Sequence, residues 1–171
     1  MKRALKTVSA VLTVSVFIAG CGYSLSGSKV ALPEGVESIA VTPFENRTHE
    51  PDVGIALAEA MQREILKRKM VKLRPVGKAD AELTGVIEEI HMESLAYDEN
   101  GFTVAYGIRV VVSAKLVRGS ETLWRADRVV VGEEIAVEGV VIDNAVRRAR
   151  ALDAISEDIA ERIHLMMVEG W

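Results

Sequence analysis

A single cysteine, Cys21, rules out any disulfide within the chain, so packing must hold the fold together. Aromatic side chains are scarce: two tryptophans, three tyrosines and three phenylalanines in 171 residues. So few rings, none interleaved with basic stretches, exclude a stacking groove for single-stranded nucleic acid. Cations are outnumbered, 21 against 25 acids, which argues against a general nucleic-acid binder. The longest apolar run, over 8–18, is too short for a membrane-spanning helix, which takes about 20 residues. The three histidines, His49, His91 and His164, have no His, Cys or acid at a recurring zinc spacing, so neither metal nor cofactor is expected. There is no Gly-x-Ser-x-Gly elbow and no glycine-rich phosphate loop opening a helix. Adjacent acids occur at Glu88-Glu89 and Glu133-Glu134, but neighbours on a strand point to opposite faces. Neither pair is therefore expected to flank a bond as acid and base, and the chain reads as a non-enzyme.

What is present begins at the amino terminus. Lys2, Arg3 and Lys6 precede the 8–18 run, and Ile18-Ala19-Gly20-Cys21 follows it directly. A basic start, a short apolar core and small residues at the cut make a secretory signal peptide. A cysteine directly after Ala-Gly looks like a bacterial lipobox. Cleavage is expected between Gly20 and Cys21, with Cys21 carrying the lipid, so that residues 1–20 are the signal peptide. Loss of the three leader cations leaves 18 basic against 25 acidic residues, a net charge of −7. The remaining chain suits one domain. It would span nothing and hang from a bilayer by acyl chains; one chain binds only marginally, and the several that a lipobox cysteine carries anchor it stably.

Residues 21–34, small and polar, read as a lipidated tether leading into a domain over 35–171. A first strand is expected over 36–44, then a loop at Asn46-Arg47-Thr48. Pro51 and Asp52 suit a first helical turn. The helix then runs to about Lys69, with Leu57, Ala58, Met61 and Ile65 as its apolar stripe. Pro75 and Gly77 mark a turn before a long second strand over 81–96. Asp98-Glu99-Asn100-Gly101 is a hairpin signal. A third strand over 102–117 alternates cleanly, with Val104, Tyr106, Ile108, Val110, Val112, Ala114 and Leu116 on one face. A turn at Arg118-Gly119-Ser120 leads into a fourth strand over 121–131. Asp143 is placed to cap a last helix over 145–168. Its predicted stripe is Val146, Leu152, Ile155, Ile159, Ile163 and Met166, with Arg147 and Arg148 off it. Trp124 and Trp171 read as packing anchors. The order β-α-β-β-β-α predicts an α+β two-layer sandwich, with two helices on one face of a four-stranded mixed sheet.

The other face of the third strand carries Arg109 and Lys115 among small residues, and the fourth strand adds Arg125 and Arg128. Such a face suits an amphipathic anion, with phosphates or carboxylates on the cations. Whether Arg125 and Arg128 share it depends on register.

The segments from Cys21-Gly22-Tyr23-Ser24-Leu25 through Pro33-Glu34-Gly35-Val36-Glu37-Ser38-Ile39-Ala40-Val41-Thr42-Pro43-Phe44-Glu45-Asn46-Arg47-Thr48 and Glu50-Pro51 resemble the lipopolysaccharide-assembly lipoprotein family LptE. Ala79-Asp80-Ala81-Glu82-Leu83-Thr84-Gly85 resembles its second strand, Leu123-Trp124 its fourth and Asp158-Ile159-Ala160-Glu161-Arg162-Ile163 its last helix. The resemblance implies two helices on a four-stranded sheet. It implies a large outer-membrane β-barrel partner, LptD, which the lipoprotein plugs, and binding of lipopolysaccharide through basic residues. Arg109, Lys115, Arg125 and Arg128 are assigned to that task here from face and charge. Gly22 after Cys21 is compatible with outer-membrane sorting. The alternative is a lipoprotein that activates a peptidoglycan synthase across the periplasm. That role needs a long tether, and the dozen residues before the first strand reach only about 40 Å.

Overall fold

The computed structural model describes residues 32, 35–69, 71–137 and 143–169. The predicted signal peptide, Cys21, most of the tether and Trp171 lie outside the described residues. Two helices pack on one face of a mixed sheet. Its elements are β1 (Ser38–Val41), β2 (Glu45–Asn46), α1 (Val53–Arg68), β3 (Lys72–Leu73), β4 (Ala81–Tyr97), β5 (Thr103–Arg118), β6 (Glu121–Ala136) and α2 (Asn144–Glu169). The sheet order is β3-β1-β4-β5-β6, with β2 also paired to β4. The α+β reading holds, but the sheet has six strands, not four.

The extra strands have local causes. The expected first strand is broken over Thr42-Pro43-Phe44, because proline has no N–H to give a ladder. The chain advances from the Val41–Leu83 pair to the Glu45–Val86 pair with one residue to spare, and Thr42 N still donates to Leu83 O at 3.1 Å. β1 and β2 are thus one strand with a bulge at Pro43. β3 is a two-residue stretch parallel to β1, short enough that alternation cannot signal it. The start of β1 is pinned to the start of β4 by Asp80. Its Oδ2 accepts from Glu37 N, Ser38 N and Ser38 Oγ at 3.1, 2.8 and 2.8 Å. The Ser38 hydroxyl, then these amides, hold that carboxyl below its ordinary value.

The core lies between helices and sheet. Tyr106, Ile108, Val110, Val112, Ala114 and Leu116 are all buried on the inner face of β5, as the alternation requires. Leu57, Ala58, Met61 and Ile65 of α1 meet Ile155, Ile159 and Ile163 of α2 in the same cluster. The two helices run parallel, since their ion pairs advance together: Arg63 with Glu157 at 3.5 Å, then Arg68 with Glu161 at 2.7 Å. Trp124 is buried as expected.

The stripe of α2 needs correction at both ends. Val146 and Met166 are exposed at 44% and 37%, and Arg147 and Met167 are buried in their place. Over six turns a 3.6-residue period drifts, so the stripe that is centred on Ile155 and Ile159 reaches Met167, not Met166. Arg147 is buried because the β4–β5 hairpin tip folds over the start of α2. Its guanidinium donates to Thr103 O at 3.4 Å, lies 3.9 Å from Asp98 Oδ2, and stands 5.6 Å over the Phe102 ring. At that tip only Gly101 takes the positive φ expected of Asn-Gly. Asp98 Oδ1 accepts from the amides of Asn100 and Phe102, at 2.9 Å each. Asp143 caps α2 as expected, accepting from Ala145 N at 2.8 Å.

Between the helices, Glu64 and His164 are both buried. Burial alone would raise the Glu64 carboxyl, but hydrogen bonds from Arg68 and Lys67 outweigh it and hold the group low. Among the described residues His164 Nδ1 has no hydrogen-bond partner, and burial pushes the imidazole below its ordinary value against the attraction of Glu64. The unfolded chain therefore takes up this proton first. His164 stabilises the fold above the unfolded imidazole value of about 6.5, and that contribution is lost as pH falls below it. Glu64 acts only lower, as pH falls through the ordinary carboxylate range. The urea midpoint should fall between pH 7.5 and 5.5 in the wild type and change much less in His164→Leu. Equal slopes in the two proteins would assign the acid lability elsewhere.

Candidate functional site

The outer sheet face carries the chemistry that the helices leave uncovered. Alternation along β5 sends Arg109, Val111, Ser113 and Lys115 to this side, with Arg109 and Lys115 exposed. Register settles what sequence left open. Lys115 sits directly opposite Arg125 on β6 and Thr84 on β4, while Arg109 sits between His91 and Gly132. All four predicted cations lie on this one face.

They do not stand equally free. Arg125 Nε is 2.6 Å from Asp127 Oδ1. Arg128 bridges two acids, at 3.3 Å to Glu88 and 3.6 Å to Glu89. Arg109 and Lys115 have no ion pair among the described residues. They are six positions apart on one strand, about 20 Å at 3.3 Å per residue.

The Arg128 bridge corrects the expectation that Glu88 and Glu89 point to opposite faces. β4 carries a bulge between Ile87 and Glu89, which turns both acids outward. On β6, Asp127 and Arg128 together oppose Ser113, and Arg128 takes φ 51°. The two bulges flank Ser113 from either side. Its hydroxyl donates to Glu88 Oε1 at 2.5 Å and accepts from Arg128 N at 3.1 Å. A bound serine and a bidentate cation occupy the two carboxylates, so this is a structural knot and not an acid–base pair. Glu133 and Glu134 do alternate, with Glu133 beside α2 and Glu134 on the outer face.

The knot divides the face into two shallow grooves. One, about 340 Å³, is lined by Lys115, Arg125, Thr122 and Val86. The other, about 440 Å³, is lined by Arg109, Val111, His91 and the His49 loop. Val111 supplies a buried apolar floor in the second. Sequence reasoning placed Ser113 on this face but missed Glu88 and Glu89 together as its partners. A signal was there: buried positions on β4 run 81, 83, 85, 87 and then shift to Ile90 and Met92, a break of phase that marks a bulge.

The Asn46-Arg47-Thr48 loop is built as a clasp. Asn46 Oδ1 accepts from Thr48 N and Oγ1 at 2.9 and 2.8 Å, and Asn46 Nδ2 donates to Glu50 O at 2.7 Å. Glu50 then holds Arg148 of α2 through both carboxylate oxygens. That hydrogen-bonded pairing keeps Glu50 below the usual carboxylate range. Among the described residues no group of three or more His, Cys, Asp or Glu could hold a metal ion, and no helix is long and apolar enough to cross a membrane.

The family model of LptE, lipopolysaccharide-assembly, matches residues 36–167. No curated protein matches the chain in sequence. Among solved structures, the PelC dodecamer from Paraburkholderia phytofirmans is similar at TM-score 0.51 and 15% identity, over 78% of this chain and 88% of that one. A putative lipoprotein from Caulobacter crescentus is similar at TM-score 0.50 and 14% identity, over 74% and 88%. At such identity these likenesses establish the fold alone.

Proposed function

This chain belongs to the LptE lipopolysaccharide-assembly family, and from that premise we propose that it is an outer-membrane lipoprotein, anchored through Cys21, that plugs a large LptD-like β-barrel and binds lipopolysaccharide on its open sheet face. The carrying observation is the family match across 36–167. The grouping of Arg109, Lys115, Arg125 and Arg128 on one uncovered face supports the ligand part. Barrel lumens are polar, and a chain whose exposed positions are largely charged suits such a lumen.

The reading requires no bond to be made or broken. The plug holds the barrel competent for export and offers cationic contacts to the phosphates of the passing glycolipid. Arg109 and Lys115, without an ion pair among the described residues, are the stronger contacts. Arg125 and Arg128 must first leave Asp127, Glu88 and Glu89. The double variant Arg109→Glu with Lys115→Glu should weaken lipopolysaccharide binding at least about tenfold, roughly 1.4 kcal/mol. Arg125→Ala should weaken it less. Calorimetric titration with purified lipopolysaccharide decides, and unchanged binding by the double variant removes the site assignment. For the partner, detergent extraction should recover the chain with a large barrel. Recovery with a peptidoglycan synthase instead would favour the activator reading.

A further inference from the structure

We propose that the free edge of β6 over residues 129–136 is a docking strand that pairs, backbone to backbone, with an extended basic segment of another protein. β6 ends the sheet, with β5 on one side and no strand on the other among the described residues. The direction of its hydrogen-bonding groups follows from one contact. Val137 N donates to Val104 O at 2.9 Å, and the same register continues unbroken from Ala136–Ala105 to Val129–Val112. In an antiparallel pair, residues alternate between facing the partner and facing away. Glu133 and Ile135 therefore turn their amide and carbonyl groups to β5. Val130, Gly132, Glu134 and Ala136 turn theirs outward, and none has a hydrogen-bond partner among the described residues.

Exposed edges are usually blunted by a bulge, a proline or an inward-pointing lysine. The first half of β6 is blunted in this way by the bulge at Asp127 and Arg128. The second half has no bulge, proline or lysine, and its charges are the carboxylates of Glu133 and Glu134. It instead presents Val130, 53% exposed, and runs beside a groove of about 440 Å³ against α2. That groove has Val131 and Leu165 as apolar lining and Glu133, Asp158 and Glu161 as acids, with Arg162 the cation among them. Arg68 already holds Glu161 at 2.7 Å, while Glu133, Glu134 and Asp158 have no ion pair among the described residues. Acids thus line both sides of the edge, Glu133 and Asp158 toward α2 and Glu134 on the outer face.

This charge chooses the occupant. A second copy paired through the same edge would bring two sets of these acids together, and like charges facing across a ladder destabilise it. A strand that alternates apolar and basic residues lays its basic ones on the α2 side, at Glu133 and Asp158, and its apolar ones on the outer face, beside Val130. The main chain supplies affinity and the side chains supply selectivity, as in other cases of strand addition. The inference goes beyond the barrel reading and does not rest on it, since it concerns neither lipopolysaccharide nor the four cations.

The probe is a fluorescein-labelled peptide of alternating valine and lysine, titrated by anisotropy against the full mature lipoprotein in detergent. Saturable binding is expected, at least tenfold tighter than for the valine–glutamate peptide. Glu134→Pro removes one outward N–H and no bond to β5, so it should cost at least tenfold in affinity while circular dichroism and the thermal midpoint hold. A valine–lysine peptide N-methylated at alternate residues keeps the charge and loses the ladder, and it should bind as weakly. This comparison is independent of any variant's folding. Equal binding of the methylated and unmethylated peptides would reduce the contact to charge alone and overturn the proposal. So would a concentration-dependent dimer, seen by sedimentation, that Glu134→Pro dissolves.

Discussion

Gly85→Val and Gly54→Ala should each take about 3–5 kcal/mol from the stability of the fold and lower the urea midpoint sharply. Both glycines pack against Phe44. A Cβ on Gly85 would lie 2.4 Å from Phe44 Cε1 and 2.5 Å from the carbonyl oxygen of Ser113. One on Gly54 would lie 2.2 Å from Phe44 O. Backbone cannot swing aside as a flexible side chain can, and the strands here are locked twice. Phe44 N donates to Gly54 O at 3.1 Å, and Ser113 sits in the knot between the two bulges. Relief means moving Phe44 out of its buried site, and truncating a buried Phe costs about 3–5 kcal/mol. A domain of this size is stable by about 5–15 kcal/mol in all. Urea unfolding followed by circular dichroism checks this. Gly77→Ala is the control: its φ of 76° brings strain, but no atom lies within 4 Å of the added Cβ, so the loss should be about 1 kcal/mol. Wild-type midpoints for Gly54→Ala would mean that the Phe44 turn has room the distances deny.

Cys21→Ser should remove the lipid completely, leaving only the proposed barrel contact to hold the protein at the membrane. The expected anchor is the acyl chains on this one thiol, each buried methylene contributing about 0.8 kcal/mol. A hydroxyl cannot replace the thiol as the acceptor of lipid, so there is no partial state to expect. Fractionation of cells that express the two forms gives the answer, with mass spectrometry of the mature amino terminus beside it. A Cys21→Ser protein that still sediments with membranes would place the anchor in protein–protein contact. A wild-type product with an unmodified thiol would remove the lipoprotein reading altogether.

Much of the architecture was legible because its signals are local. The β5 stripe from Tyr106 to Leu116 is buried as read, since a strand's period of two leaves one choice of face. Leu57, Met61 and Ile65 are buried for the same kind of reason at period 3.6. Asp143, Gly101 and Pro75 act where turn and cap chemistry put them. The errors sit where a distant group overrides a local rule. Arg147, a charged residue, is buried because a hairpin tip from elsewhere brings it a carbonyl, a carboxylate and a ring. Glu88 and Glu89 share a face because an added residue in β4 meets Arg128 of β6, forty positions away.

The candidate face shows the same division. The sequence by itself determined that one side of β5 carries Arg109 and Lys115 among small residues, and that two amphipathic helices cover the other side. These follow from periodicity, charge and short motifs, each decided within a few neighbouring residues. Only the tertiary structure decided that Arg125 faces Lys115, that Arg128 bridges two acids, and that β6 ends the sheet, among the described residues, beside an acidic groove. Register, bulges and strand order depend on which distant backbone groups find each other, and no local pattern records that choice.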